Sequence, residues 1–292
     1  MRRDILFQIL SALFFALATV FAKYVNASSS IPAVEITLFR FVLGFIGTAF
    51  YVLRSGRSVR PVRFSYIWLR AVMNLASVVL FFLGVQYSTV TKANLLNMTF
   101  PIFVFLYAPW INHERAKPVN FLFLLLSMIG IYLVVLPSFS AFDVGDLYSF
   151  ASGVVGGLAV ALLRESRRYD SSLTVIFFLM GIGAVGNLAL ALPSLVMPSL
   201  PLAGLLVLSA LAGFLGQVFT TAGFRTLDAP RGSLLTTSRI LFAGILGATL
   251  FHEPVTARMI AGALLIVLSL LGVSGVVQPA RRASAPSKNR SA

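Results

Sequence analysis

The sequence predicts an all-α polytopic membrane protein, with ten transmembrane helices arranged as two inverted five-helix repeats. Three observations lead there. Of the 292 residues, 58% are hydrophobic and 11% charged, and the mean hydropathy is +0.93. A water-soluble domain of this size could not cover so much apolar surface with so few charges. Apolar runs of about 20 residues recur along the whole chain, each long enough to cross the ~30 Å hydrocarbon layer as a helix. Finally, an ungapped offset of 139 residues lays residues 92–114 (KANLLNMTFPIFVFLYAPWINHE) over residues 231–253 (RGSLLTTSRILFAGILGATLFHE). It pairs Lys92 with Arg231, Leu95-Leu96 with Leu234-Leu235, and His113-Glu114 with His252-Glu253. The same offset pairs Gly44 with Gly183, Gly47 with Gly186 and Gly84 with Gly223. Glycines and a His-Glu pair that hold one spacing over this distance mark a duplication.

Taken in order, the spans fall at 5–24, 33–53, 66–87, 92–111, 120–136, 147–163, 173–192, 202–224, 231–251 and 257–277. Strand-type alternation is absent, which disfavours a lipid-facing barrel. The first span follows MRRD and contains Ala16-Leu17-Ala18, a pattern shared with cleaved signal peptides. Removing it would leave one repeat a helix short, so it is read as retained. Span two ends at RSGRSVRPVR (54–63), and PSLVMPSLP (193–201) separates spans seven and eight. Span six carries Gly153-x-x-x-Gly157, a helix-packing spacing that by itself says little about dimers. The repeats are expected at 1–137 and 138–278, followed by a basic, disordered cytoplasmic tail at 279–292.

The net charge of +14 would suggest nucleic acid in a soluble protein, but its distribution points to membrane topology instead. With the N-terminus inside, seventeen basic residues fall at cytoplasmic ends and three (Lys23, Lys92, Arg258) at outer ends. Arg40, Arg70 and Arg239 lie within spans. This bias places both termini in the cytoplasm, in a bacterial setting at the inner membrane. No cysteine is present, which excludes thiol chemistry and cysteine-ligated metals. An odd number of spans per repeat forces the second copy to enter from the opposite side. Inverted repeats of this kind hold a substrate site near the midplane and support alternating access.

The candidate substrate residues are Arg239, Arg40, Asn97, Asn94, Asn74, Thr236, Gln217 and Thr220. An arginine at mid-membrane faces a cavity or a partner by default, and Arg239 lies about 12 Å into its span. Arg40 lies about 10 Å into span two, and its nearest carboxylate, Glu35, is about 140° away around the helix. Glu35 is the only carboxylate inside a predicted span and the candidate for ion coupling, although exposure at the membrane boundary is the favoured reading. In span three Arg70, Asn74, Ser77, Phe81 and Gly84 form one stripe; their mates are Ser209, Gly213, Gly216, Thr220 and Gly223. Packing and cavity lining weigh equally for both stripes. Pro101 frees the carbonyl of Asn97 and is expected to act as a hinge. The His-Glu pairs lie a membrane thickness apart, so capping or interfacial hydrogen bonding is favoured over a metal site, and no catalytic constellation or cofactor motif is found.

Arg40, Gly84, Pro101, His113-Glu114, His252-Glu253, Gly130 and Gly272, in this order of spans, resemble EamA-type members of the drug/metabolite transporter superfamily. That resemblance implies ten helices, inverted halves, cytoplasmic termini and transport of small metabolites. Leu69-Arg70-Ala71 looks like the branch that includes S-adenosylmethionine and organic-anion carriers. The second half departs from the pattern, with Leu179 at the position matching Arg40 and Ile240 at that matching Pro101. The expected function is carriage of a small polar metabolite bearing a carboxylate or phosphate, with the lipid bilayer as the other partner. Carriage of cationic or aromatic compounds, and a channel or scaffold, are the alternatives; monomer and homodimer both remain open.

Overall fold

The computed structural model describes residues 2–29, 31–88, 90–135, 143–252 and 254–274. Glu253, the tail at 279–292 and both ends of the junction at 137/138 lie outside these residues. The helices are α1 (Arg2–Ser28), α2 (Ala33–Ser55), α3 (Phe64–Tyr87), α4 (Val90–Asn97), α5 (Phe100–Ile111), α6 (Pro118–Val135), α7 (Val144–Tyr169), α8 (Ser172–Ala191), α9 (Leu200–Gly223), α10 (Ala229–Thr236), α11 (Ser238–Leu250) and α12 (Ala257–Ser274). Ten segments are long and apolar enough to cross a membrane, two of them assembled from α4–α5 and α10–α11. The sixth is longer than its apolar core predicts. A capping box between Asp143 and Asp146 starts α7, and its last turn continues through Arg167 and Arg168.

Interactions at the helix ends sort them onto two faces. On the near face, where α1 begins, Asp4 accepts a hydrogen bond from Thr226, and Asp170 after α7 accepts from the backbone N–H of Val62 and Arg63 before α3. On the far face Lys92 meets Asp143 and Asp146, and Glu35 accepts from the Val196 N–H. Consecutive spans therefore alternate in direction.

The packing repeats under a two-fold rotation. Helix α3 lies along α7, and its mate α9 lies along α1; α5 packs on α7, and its mate α11 on α1. Helix α2 packs on its own mate α8, and α6 on its own mate α12, as elements beside a two-fold axis must. Their contacts are reciprocal. A Cβ added to Gly183 would lie 2.3 Å from the Phe41 ring, and one added to Gly44 would lie 2.7 Å from the Met180 sulfur. Met180 is itself the 139-residue mate of Phe41. Between α6 and α12, Ser127 and Ser269 meet hydroxyl to hydroxyl at 2.8 Å. Reciprocal contacts such as Gly44 with Met180 and Gly183 with Phe41 are the signature of an isologous interface. The two halves are inverted five-helix units.

Both fourth spans are broken at mid-depth, by different means. In the first half the helix stops at Asn97 and restarts at Phe100 with Pro101 in its first turn. Thr99 donates its hydroxyl to the Leu96 carbonyl at 2.6 Å. In the second half no proline stands at the break, yet the helix is interrupted at Thr237. There Ser233, Thr236, Thr237 and Ser238 each turn a hydroxyl back to the carbonyl three residues earlier, at 2.6–2.8 Å. Hydroxyls that compete for helical carbonyls bend helices, and four in six residues do the work of the missing proline. Gly153 and Gly157 let α7 cross the first break closely. A Cβ at Gly153 would meet the Leu96 carbonyl at 2.9 Å, and one at Gly157 the Phe103 Cβ at 2.5 Å. That spacing serves packing within the chain.

Candidate functional site

The two half-helices of span nine bring Arg239 to the first turn of α11. Its Nη2 donates to the Thr19 hydroxyl at 2.8 Å, and its guanidinium lies 5.7 Å from the centre of the Phe15 ring. Arg40 comes from α2 and reaches the same turn of α1, because the Gly213 position that its stem crosses also faces Ala18, next to Thr19. Its stem lies across Gly213 of α9, where a Cβ would fall 2.5 Å from the Arg40 Cδ, and its guanidinium sits 4.9 Å from the Phe41 ring centre. Neither arginine forms an ion pair with a carboxylate among the described residues. Two cations and two aromatic faces, carried by α1, α2 and α11 against a smooth face of α9, make this the charged centre of the molecule.

Most of the other predicted residues are not gathered there. Asn97 donates to the Ser152 hydroxyl at 2.8 Å, in a seam where Ser77 also bonds the Ser152 carbonyl. Asn74 accepts from Arg70 at 3.1 Å. Thr220 is buried against the hydroxyl of Ser11, its carbonyl accepts from Gln8, and both interactions hold α9 to α1. Gln217 donates to Thr221 one turn away. Thr236 is spent on the helix break. Asn94 lies on α4, and Pro101 is buried at the start of α5. The stripe on α9 packs on α1 at every position, while the stripe on α3 packs on α7 only beyond Asn74.

Glu35 differs from its expected place. Exposure at the membrane boundary was the favoured reading, but the side chain is 1% exposed. The segment between α8 and α9 folds back over it and presents the Val196 N–H at 3.1 Å. The cause is a contact 161 residues away in sequence, which no local pattern reports.

Two apolar plugs flank the centre. The near-face plug is Ile67, Leu163, Val175 and Phe224, from α3, α7, α8 and the end of α9. The far-face plug is Val25, Ile31, Ile36 and Leu206; Ile36 and Leu206 are the 139-residue mates of Val175 and Ile67. The other two members of each plug have no mate in the other, and one of these differences is a phenylalanine. Phe224 is fully buried, its ring against Gly232, where a Cβ would lie 2.3 Å away. Its mate on the far side is Val85, and Val85 lines a pocket of about 380 Å³ together with Pro32, Val79, Phe82, Gln86 and Leu190. At this pair of positions a buried ring stands on the near face and an open pocket on the far face.

The near face also carries a polar latch, at the first of the two His-Glu pairs. His113 and His252 both adopt positive φ, 53° in each, a conformation uncommon outside glycine. The turn at His113 swings Glu114 towards the other half. Its Oε1 accepts from Arg164 at 2.8 Å and Arg168 at 2.9 Å, and its Oε2 accepts from the Ala229 N–H at 2.7 Å. A carboxylate at a helix N-terminus, here α10, is favoured by the helix dipole. Arg164 in turn holds the carbonyls of Phe224 and Arg225. One carboxylate therefore ties the end of α5 to α7, α9 and α10.

Residues 2–136 and 143–275 each match the EamA-like transporter family. The chain is 25% identical over 277 residues to the pseudopaline exporter CntI of Pseudomonas aeruginosa, covering 94% of this chain and 96% of that one. It is 24% identical to human solute carrier family 35 member G1, over 92% of this chain and 78% of the relative. The riboflavin transporter of Vibrio cholerae is 21% identical, over 91% and 90% of the two chains. A solved crystal structure superposes with a TM-score of 0.80 at 16% identity, over 94% of this chain and 96% of that one, which shows a shared fold. The protein is an integral, multi-pass membrane protein of the transporter class, not an enzyme. The chain belongs to the EamA-like transporter family.

Proposed function

We propose that the protein is a secondary or exchange carrier for a small polar metabolite bearing a carboxylate or phosphate, moved by alternating access. One observation carries this reading. Arg40 and Arg239 converge at mid-membrane with no carboxylate between them among the described residues. Two like charges, each half-buried and without a counter-ion, repel each other and retain part of their desolvation penalty. An anionic group on the substrate would neutralise both, and Phe15 would contact its apolar part. A cationic substrate would add a third like charge, so the cationic alternative is disfavoured. The Phe15 ring remains compatible with an aromatic body attached to the anion.

Alternation follows from the two-fold. The near plug and the Glu114 latch close one face, while the pocket at Val85 opens towards the other. Exchanging the packing of the two halves would interchange them. With the excess of basic residues on the near face, that face is assigned to the cytoplasm. The conformation is then outward-open, in the inner membrane, with both termini inside. The repeats are taken as 1–137 and 138–278. Uptake into proteoliposomes tests the role of Arg239. Arg239→Ala is expected to abolish saturable counterflow of the best anionic substrate, and unchanged transport would remove Arg239 from the mechanism.

A further inference from the structure

Arg70 is the third arginine within the spans, and it is 4% exposed. The chain contains its own standard for what a structural arginine does. Arg164 holds the Phe224 and Arg225 carbonyls and Glu114, Arg167 holds the Thr221 carbonyl, and Arg231 donates twice to the Val273 carbonyl. Arg70 has no such contact among the described residues. Its Nη1 donates to Asn74 at 3.1 Å, and its Nε is enclosed without an acceptor. No carboxylate pairs with it there either. An enclosed guanidinium N–H without an acceptor loses its hydration for nothing in return.

Its position suggests what supplies the missing acceptor. Ile67, one turn towards the near face, belongs to the near plug, so Arg70 lies directly behind that seal and Asn74 one turn deeper. Arg40 stands about as far in from the far face, eight residues into α2, as Arg70 does from the near face, seven residues into α3. We propose that Arg70, with Asn74, is a second anion station on the transport path. It would receive the carboxylate or phosphate of the substrate when the near plug parts, and exchange it with Arg40 and Arg239. This rests on the anionic-substrate reading above and extends it to a residue outside that centre.

The absence of cysteine makes a direct test available, since single-cysteine variants of the full chain have no background. Asn74→Cys places a thiol beside Arg70, and Thr19→Cys places one beside Arg239. Each purified variant is treated with an anionic sulfonatoethyl and a cationic trimethylammonioethyl methanethiosulfonate of similar size. A positive field in a narrow site concentrates anions tenfold or more. At Asn74→Cys the anionic reagent is expected to react about tenfold faster, and adding Arg70→Gln or Arg70→Met should abolish the preference. Equal rates, no modification, or a preference that persists without the guanidinium would overturn the station. Two neutral variants are used so that poor folding of one does not spare the idea. Thr19→Cys separates the two claims: preference there but none at Asn74→Cys sinks the station and leaves the central site standing. The reverse pattern sinks the central site alone.

Discussion

Replacing Glu114 by Gln should release the near face. The substitution keeps one acceptor oxygen and the shape of the side chain but removes the charge. Glu114 is 14% exposed and Arg164 13%, so their 2.8 Å contact is largely shielded from water. Exchanging a charge-assisted for a neutral hydrogen bond there costs about 1 kcal/mol. Arg168 is 31% exposed, and solvent screening cuts its share to about half of that. Loss of the negative charge at the start of α10 removes roughly another 0.5 kcal/mol. The contacts hold α5 and α7 together with α10 and the end of α9 on this face, so closure is expected to weaken by at most about 2 kcal/mol, up to roughly thirtyfold in the open population. The assay is labelling of Ala71→Cys, a buried position one turn behind Ile67, with a membrane-impermeant maleimide in inside-out vesicles. When opening is fast and rare, the labelling rate follows the open fraction. A rise of about ten- to thirtyfold is expected. A change below about threefold would refute the latch, and a slower rate would reverse its sign.

Other substitutions probe the axis and the plug. Gly183→Ala drives a methyl into the Phe41 ring at 2.3 Å and should destabilise the detergent-purified protein by 1–3 kcal/mol, roughly. Gly47→Ala on α2 meets nothing within 4 Å and should leave the melting temperature unchanged or slightly raised. Gly232→Ala pushes on Phe224 at 2.3 Å and should speed the Ala71→Cys labelling described above while leaving far-face labelling unchanged. Arg40→Gln should weaken binding of the best anionic ligand about tenfold or more, the worth of one charged hydrogen bond, measured by thermal shift against ligand concentration.

The architecture was legible because lipid imposes a simple rule: each crossing must be a long apolar helix with its backbone bonded internally. Duplication was equally legible, since Gly44 and Gly183 keep their spacing for a packing reason, Gly183 meeting Phe41 and Gly44 meeting the mate of Phe41, Met180. What stayed hidden depends on contacts distant in sequence. The burial of Glu35 is set by Val196, and the reach of Glu114 by a left-handed turn at His113. The break in span nine did have a local signal. The hydroxyls of Ser233, Thr236, Thr237 and Ser238 are visible in the sequence, but a search for proline alone passes over them. Among the candidate site residues, Arg40 and Arg239 share one centre because an intramembrane cation has few places to go. The amides and hydroxyls had a cheaper option, bonding a neighbouring helix as Asn97 and Thr220 do, or the next turn of their own as Gln217 does. Arg70 was passed over among them because a stripe that packs at Ser77 and Gly84 looks like packing throughout.

The paired arginines at the centre are tested most directly by charge selectivity. Purified wild-type protein would be melted against matched metabolites that differ only in carrying a carboxylate, a phosphate, an amide or an ammonium group. Saturable stabilisation confined to the anions, and lost in both Arg40→Gln and Arg239→Gln, is the predicted result. Stabilisation by the ammonium members, or anion binding that survives both substitutions, would contradict it.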